Sequence, residues 1–196
     1  RLGIDPCDST FYKESCRFAN DVVQDFFSVE AFNRSVYRGR KCDVVTAIAM
    51  FYDLDDPVGF LNHVREILND DGLLVLQLSY TPLMVQQLAF DNIVHEHVAY
   101  YTLDTISFVL NEAGFRIVDC QLNDVNGGSF RVFAQKTSAP IESFATAPYR
   151  DVANFRVAST YSYEQDLGAD TVEYYKDFFQ KIQELKAKTK DFIEKA

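Results

Sequence analysis

The spacing of apolar residues changes period several times along the chain, and each change marks an element. Leu2-Gly3-Ile4 reads as the end of a strand, and residues 22–27 as a short one. Asp43-Val44-Val45-Thr46-Ala47-Ile48 is a β-branched run that suits a buried strand, and residues 73–78 form another. Between these two runs, Val58, Phe60, Leu61, Val64, Ile67 and Leu68 fall at helical spacing. Pro57 sits in the first turn of that helix and Asn69-Asp70-Asp71-Gly72 stops it. Strand, helix, strand with a buried first strand predicts a βαβ unit and parallel pairing.

The helical pattern returns over 102–113, with Thr102 as N-cap and Gly114 as stop. Residues 115–119 read as a strand, Asn126-Gly127-Gly128 as a turn, and residues 129–135 as a last strand. If the turn closes a hairpin, these two strands are antiparallel. The sheet domain is therefore expected over 1–136, followed by a Pro/Ala/Ser-containing connector over 137–157. A helical extension over 158–196 follows, amphipathic from Tyr163 onward, with Phe178, Ile182, Leu185 and Phe192 on one stripe. A stripe that long needs a cover, either the sheet domain itself, a second copy in a homodimer, or a further domain.

Composition narrows the class. With 19 Lys and Arg against 29 Asp and Glu, the formal charge is −10, which argues against a nucleic-acid or anionic-membrane surface. No apolar run approaches the roughly 20 residues that span a bilayer, and no signal-peptide pattern opens the chain. Cys7, Cys16, Cys42 and Cys120 are scattered with no C-x-x-C pair, so they read as reduced thiols of a cytoplasmic protein, with no metal site expected.

Candidate chemistry concentrates in Val94-His95-Glu96-His97-Val98-Ala99-Tyr100-Tyr101, which holds two of the three histidines flanking a carboxylate. A His beside an acid is a simple route to a general base near neutral pH. The third histidine, His63, lies on the helix after the 43–48 strand and has no assigned role.

Three strings together go further: Gly3-Ile4-Asp5-Pro6; the run from Asp43 through Ala49-Met50-Phe51-Tyr52-Asp53-Leu54; and the region from Phe90 through His95-Glu96-His97 to Asn126-Gly127-Gly128-Ser129-Phe130-Arg131-Val132. They resemble the S-adenosylmethionine-dependent C-methyltransferases that act on nucleotide-linked deoxysugars, over residues 1–136 and more loosely through the C-terminal helix. The resemblance implies an α/β fold, the Rossmann-like class I methyltransferase sheet, mostly parallel with an antiparallel terminal hairpin, here with a long C-terminal helix. It implies an enzyme with S-adenosylmethionine as cofactor and a small-molecule substrate, a nucleotide-linked keto-deoxysugar.

By the same resemblance, Asp5 accepts hydrogen bonds from the cofactor ribose, Asp25 lies near the adenine, and Ala49, Met50 and Phe51 line the cleft beneath the methionine part. His97 becomes the base that removes a proton beside the ketone, with Glu96 orienting its imidazole, while His95 holds the enolate oxygen or simply packs. Tyr80, Asn126 and Ser129 are candidates on the substrate side, although Gly127-Gly128 also reads as plain turn chemistry. Asp5 before Pro6 equally fits a turn, and the two histidines equally fit a polar loop.

The chain also departs from that family. Many members carry an Asn and a His at the end of the fourth strand, where this chain has Ala49 and Asp53. No G-x-G-x-G string occurs, and the chain opens as a strand entered in mid-fold. With the strand between the second and fourth thus missing, the chain is expected to be a fragment of a longer enzyme, to close directly between those two strands, or to have the gap filled by a neighbouring chain. An O- or N-methyltransferase on the same fold, and a truncated interaction module, are the alternative readings. Without a glycine-rich loop to cradle the methionine end, the 196-residue chain is expected to bind S-adenosylmethionine poorly. Calorimetric titration measures this directly, and a low-micromolar dissociation constant contradicts it.

Overall fold

The computed structural model describes residues 1–195. Six strands and seven helices follow one another as β1 (Leu2–Ile4), α1 (Ser9–Ser15), β2 (Asp21–Val23), α2 (Val29–Phe32), β3 (Cys42–Ile48), α3 (Pro57–Ile67), β4 (Leu68–Ser79), α4 (Thr81–Gln86), α5 (Leu103–Glu112), β5 (Phe115–Asn123), β6 (Ser129–Lys136), α6 (Ala147–Leu167) and α7 (Val172–Lys195). The strands form a parallel pair β1-β2 and a four-stranded sheet in the order β3-β4-β6-β5. Within the second sheet β3 and β4 are parallel, and β6 runs antiparallel to both β4 and β5. This is the expected α/β arrangement with its terminal hairpin.

Of the three outcomes expected between the second and fourth strands, direct closure does not occur. Among the described residues β1 pairs with β2 alone and β3 with β4 alone. The burial expected for residues 43–48 is correspondingly incomplete, with Val44 53% and Ile48 55% exposed on the free edge of β3. The two sheets are joined instead through α2 and α3. The Phe27 and Phe60 rings lie 4.9 Å apart, and the Val29 N–H donates to Nδ1 of His63 at 3.4 Å. His63 is thus a structural contact.

Local sequence accounts for most element ends. Asp56 caps α3 through the Gly59 N–H at 2.8 Å, and Pro57 occupies its first turn. The helix ends at Ile67, before the expected stop at residues 69–72, which with Leu68 already belongs to β4. Register slips between Cys42 and Val44, so the polar stretch forms a bulged entrance to the strand rather than a loop. Gly114 ends α5 with φ 77°, a value that favours glycine.

The largest revision concerns the C-terminal third. α6 begins at Ala147, inside the expected connector, so only residues 137–146 link it to the sheet. Its inward face carries Ala153, Arg156, Val157, Thr160 and Glu164, too polar to register as an apolar stripe. Gly168, at φ 66°, then breaks the single helix expected from Tyr163 into α6 and α7. On α7, Phe178 packs with Met84 and Val85 of α4, with Ile182 beside it, whereas Phe192 is 73% exposed. The stripe is therefore covered at its N-terminal end by the protein's own α4. Among the described residues no helix is long and apolar enough to cross a membrane.

Asp119 on β5 is one of the anchors of α6. Its wholly buried carboxylate accepts from Nε and Nη2 of Arg156 at 2.8 and 2.7 Å, and also from the Cys120 N–H, Gln121 and Tyr149. Burial alone pushes this carboxyl up, but the hydrogen bonds from Arg156, Gln121 and Tyr149 outweigh it and hold the group below its ordinary range. Arg156→Ala is expected to cost about 3–5 kcal/mol, because it strands a buried charge. A lowered folded pKa means that Asp119 stabilises the fold above its unfolded value of 3.8, and that this contribution disappears as pH falls through the folded value. Urea unfolding at several pH values should accordingly show wild type losing stability towards acid more steeply than Arg156→Ala.

Candidate active site

In open α/β sheets, ligands bind beyond the carboxyl ends of the parallel strands. Here those ends are the residues after Ile4 and Val23 in the two-stranded sheet, and those after Ile48 and Ser79 in the four-stranded one. Asp5 follows β1 and is exposed, with its N–H donating to the Val23 carbonyl at 3.1 Å. Asp25 follows β2, where one carboxylate oxygen accepts from the Phe26 N–H at 2.7 Å and the other pairs with Arg34. The Arg34 hydrogen bond, aided by the Phe26 N–H, lowers the Asp25 pKa. Both of its oxygens are therefore already engaged.

β3 ends with the Ala49 N–H donating to the Gln77 carbonyl at 2.9 Å. Ala49 then takes φ 54°, a left-handed conformation that costs a non-glycine residue about 1–2 kcal/mol. The chain turns through half-buried Met50 into a 3-10 turn, Phe51–Asp53. Ala49 and Met50 thus sit at the open edge. Phe51 does not: it is fully buried, its ring 5.7 Å from those of both Phe60 and Tyr101, so the cleft-lining role expected for it gives way to a core one.

The His-Glu-His segment is held against this edge at several points. Its base is closed by Thr81, whose N–H and hydroxyl both donate to the Tyr101 carbonyl, at 3.1 and 2.9 Å. The Tyr52 carbonyl accepts from the N–H groups of Val98 and Ala99, at 2.9 and 3.0 Å. A turn closed by the His97 N–H on the Val94 carbonyl at 3.3 Å puts His95 and Glu96 at its exposed tip. His97 folds back, its ring 4.4 Å from the Tyr52 ring at an interplanar angle of 55°.

His97 Nδ1 lies 2.8 Å from the Asn92 carbonyl. A carbonyl only accepts, so Nδ1 carries a proton, and in the neutral ring Nε2 then keeps the lone pair. Among the described residues no hydrogen bond joins Glu96 to His97, so the orienting contact made here comes from the Asn92 backbone. Tyr100 also reaches that carbonyl, at 3.4 Å. Asp53, on the 3-10 turn beside Tyr52, has its carboxyl raised, chiefly by burial; the charge of His97 pulls it down and that of Glu96 pushes it further up. Tyr52, Asp53 and Asn92 had no role in the sequence reading. All three lay inside strings singled out there, but nothing local indicated which ring they would meet.

Two substrate-side candidates are placed elsewhere. Tyr80 is fully buried, its hydroxyl donating to Glu164 at 2.7 Å, so it is a core residue rather than a cleft residue. Ser129 is also buried and donates to the Val125 carbonyl at 2.7 Å. Asn126 remains exposed at the site edge, with φ 52°. Neither of the two glycines beside it is free to change: Gly127 has φ 77°, and Gly128 has φ 126° with a Cβ position only 2.8 Å from Leu83 Cβ on α4. Their immediate task is close packing of the turn on α4. Among the described residues no group of three or more His, Cys, Asp or Glu side chains could hold a metal ion.

Comparison with known proteins identifies the family. A family model described as a methyltransferase domain matches residues 2–119, and one described as a C-methyltransferase C-terminal domain matches residues 124–196. The C-methyltransferase NovU of Streptomyces niveus is 27% identical over 176 residues, which cover 90% of this chain and 37% of that protein. The chain thus spans little more than a third of the length of this relative. Among solved structures, the complex of the Haloferax volcanii Trm112 methyltransferase activator with a protein assigned as a methyltransferase has a TM-score of 0.52 at 10% identity, covering 69% of this chain and 70% of that one. That likeness bears on the fold alone.

Gly128→Ala is expected to destabilise the protein by roughly 1–3 kcal/mol, because the new methyl meets Leu83 of α4 and Gly128 holds a backbone conformation that only glycine adopts readily. The midpoint of chemical denaturation reports the loss, and an unchanged midpoint contradicts this packing role.

Proposed function

The chain belongs to the methyltransferase domain family, and from that premise we propose that it methylates a sugar carbon beside a ketone in a nucleotide-linked deoxysugar, with S-adenosylmethionine as donor. The observation that carries this reading is the 2.8 Å contact between His97 Nδ1 and the Asn92 carbonyl. With Nδ1 committed to the Asn92 carbonyl, Nε2 is available as a proton acceptor at the carboxyl edge of β3. The match of residues 124–196 to a C-methyltransferase C-terminal domain, together with the likeness to NovU, favours a carbon acceptor over an oxygen or nitrogen one.

The residues at the strand ends fit the cofactor in part. Asp5 is an exposed carboxylate at the end of β1, suited to accept from ribose hydroxyls, and the Ala49–Met50 backbone follows the carboxyl end of β3 in the other sheet. Asp25 reaches an adenine only by releasing Arg34 or the Phe26 N–H. When bound, S-adenosylmethionine supplies an electrophilic methyl group. The work of this chain is to remove the proton that leaves the substrate carbon nucleophilic.

That proton passes to Nε2 of His97, while Nδ1–H stays on the Asn92 carbonyl and keeps the ring from swinging. The Tyr52 ring lies against one side of the imidazole and narrows the directions from which a substrate carbon approaches it. His95 and Glu96, exposed at the turn tip, are placed to meet the substrate from the solvent side.

The test is His97→Ala in the catalytically competent enzyme, followed by transfer of labelled methyl to the keto-sugar. Loss of a general base is expected to lower turnover by about 10²-fold or more. The dissociation constant for S-adenosylmethionine should stay within about twofold, because His97 acts on the acceptor and not on the donor. Undiminished turnover removes His97 from the role of base.

A further inference from the structure

The segment that carries His97, residues 81–102, is gripped from outside by the two C-terminal helices. Near its start, Phe178 of α7 packs on Met84 and Val85 of α4, with Tyr174, Leu88 and Ala89 around them. At its end, Glu164 of α6 accepts from the Leu103 and Asp104 N–H groups that open α5. The same carboxylate takes the Tyr80 hydroxyl, just before the segment begins.

From the first of these contacts a relay reaches the imidazole. The Ala89 N–H donates to the Met84 carbonyl at 3.0 Å, which pins the chain to the residue that Phe178 covers. The Ala89 carbonyl in turn accepts from the Asn92 N–H at 3.2 Å and from Asn92 Nδ2 at 3.3 Å. The Asn92 carbonyl then accepts the Nδ1–H of His97 at 2.8 Å.

We propose that the α6–α7 pair is the positioning clamp of His97, with Phe178 acting through Ala89 and Asn92, and Glu164 acting through the two ends of the segment. This rests on the reading of His97 as the proton acceptor. Neither Phe178 nor Glu164 lies against the ring, so both are positioning residues. They set where the Asn92 carbonyl stands, and with it which imidazole nitrogen carries the proton.

The clamp has a fixed footing. On α6, Arg156 is bound to Asp119 of β5, and Glu164 lies two turns further on, about 12 Å along the axis. The Ala169 N–H donates to the Glu164 carbonyl at 3.0 Å, so the turn into α7 closes on the same residue. The position of the sheet is thereby carried to both grips. The segment itself is under local strain: Leu88 has φ 53°, a conformation that persists only where its surroundings hold it. Loosening the cluster under Phe178 lets Leu88 relax, and the 3-10 turn Phe90–Asn92 shortly after it shifts too.

The experiment reads the imidazole nitrogens of His97 by NMR in the ¹⁵N-labelled chain, at about pH 8, where an ordinary histidine is neutral. Wild type should show the proton on Nδ1. Phe178→Ala and Tyr80→Phe loosen different grips, and each is expected to shift the ring towards a mixture of the two tautomers. Exchange of the Val98 and Ala99 amides should quicken by about tenfold, while amides of the β4–β6 ladder keep their wild-type rates. A merely structural loss would quicken the ladder as well and leave the tautomer of the folded state unmoved. Phe178→Leu should recover part of the shift, and Phe192→Ala, at the exposed end of α7, should produce none. Tyr80→Phe removes one oxygen from a ring that stays buried, so it is expected to fold even where Phe178→Ala does not. An unmoved tautomer in every folded variant of Phe178 and Tyr80, an equal shift in Phe192→Ala, or a wild-type ring protonated on Nε2 overturns the proposal. None of these readouts uses turnover, so they stay distinct from a failed methyl-transfer assay.

Discussion

The loop that carries the candidate base depends on one buried carboxylate. Glu164 on α6 accepts from the Tyr80 hydroxyl at 2.7 Å, the Leu103 N–H at 2.5 Å and the Asp104 N–H at 3.1 Å. Tyr80 stands at the end of β4 and Leu103 begins α5, so the two ends of the intervening segment are tied to the same side chain. Burial raises the pKa of Glu164, while the donors at Leu103, Tyr80 and Asp104 pull it back. Leaving such a group without donors would cost several kcal/mol. The first turn of α5 is satisfied at the same time, Thr102 capping Thr105 and Glu164 taking the two N–H groups between them. A helix start, a strand end and a second helix are thereby fixed together, and His97 hangs between the first two.

That arrangement explains which features the sequence disclosed. β3, α3 and β4 follow from apolar periodicity, Pro57 and a polar stop, all local signals. Thr102 and Gly114 bracket α5 for the same reason. α6 escaped because its buried side is held by Arg156 and Glu164, whose partners Asp119 and Tyr80 lie 37 and 84 residues away. Neither half of such a pair looks buried on its own, and an apolar count treats both as surface residues. Tyr80 was misplaced by the same effect: a tyrosine ending a strand near a reactive loop suits a cleft, until a distant glutamate claims its hydroxyl.

At the candidate site, the chemical residue types were legible and their pairings were not. His-Glu-His attracts notice because a base and an acid adjoin in sequence, yet the turn that exposes His95 and Glu96 folds His97 away from them. Backbone geometry then gives the imidazole a carbonyl from Asn92 and a ring from Tyr52. A carbonyl has no sequence signature, since every residue carries one. Gly127 and Gly128 illustrate the converse. Their positive φ was readable as turn chemistry, whereas the close approach of Leu83 that forbids a side chain at Gly128 was not.

The distribution of backbone strain points to the same end of the sheet. Among the described residues the non-glycine positions with positive φ are Ala49, Leu88 and Asn126. Ala49 follows β3, Leu88 follows the short helix after β4, and Asn126 lies in the turn whose next strand begins opposite Ser79. Each such residue costs of order 1–3 kcal/mol and persists only where its surroundings hold it. Here they do: the Ala49 N–H is taken by the Gln77 carbonyl, the Leu88 N–H by that of Val85, and the turn at Asn126 is closed by the Gly128 N–H on Val125. The well-formed β4–β6 and β5–β6 ladders supply the stability against which this local cost is set. Strain gathered where β3 and β4 end, beside Asp53 and His97, is what a scaffold shows when backbone ease has given way to the placement of particular groups.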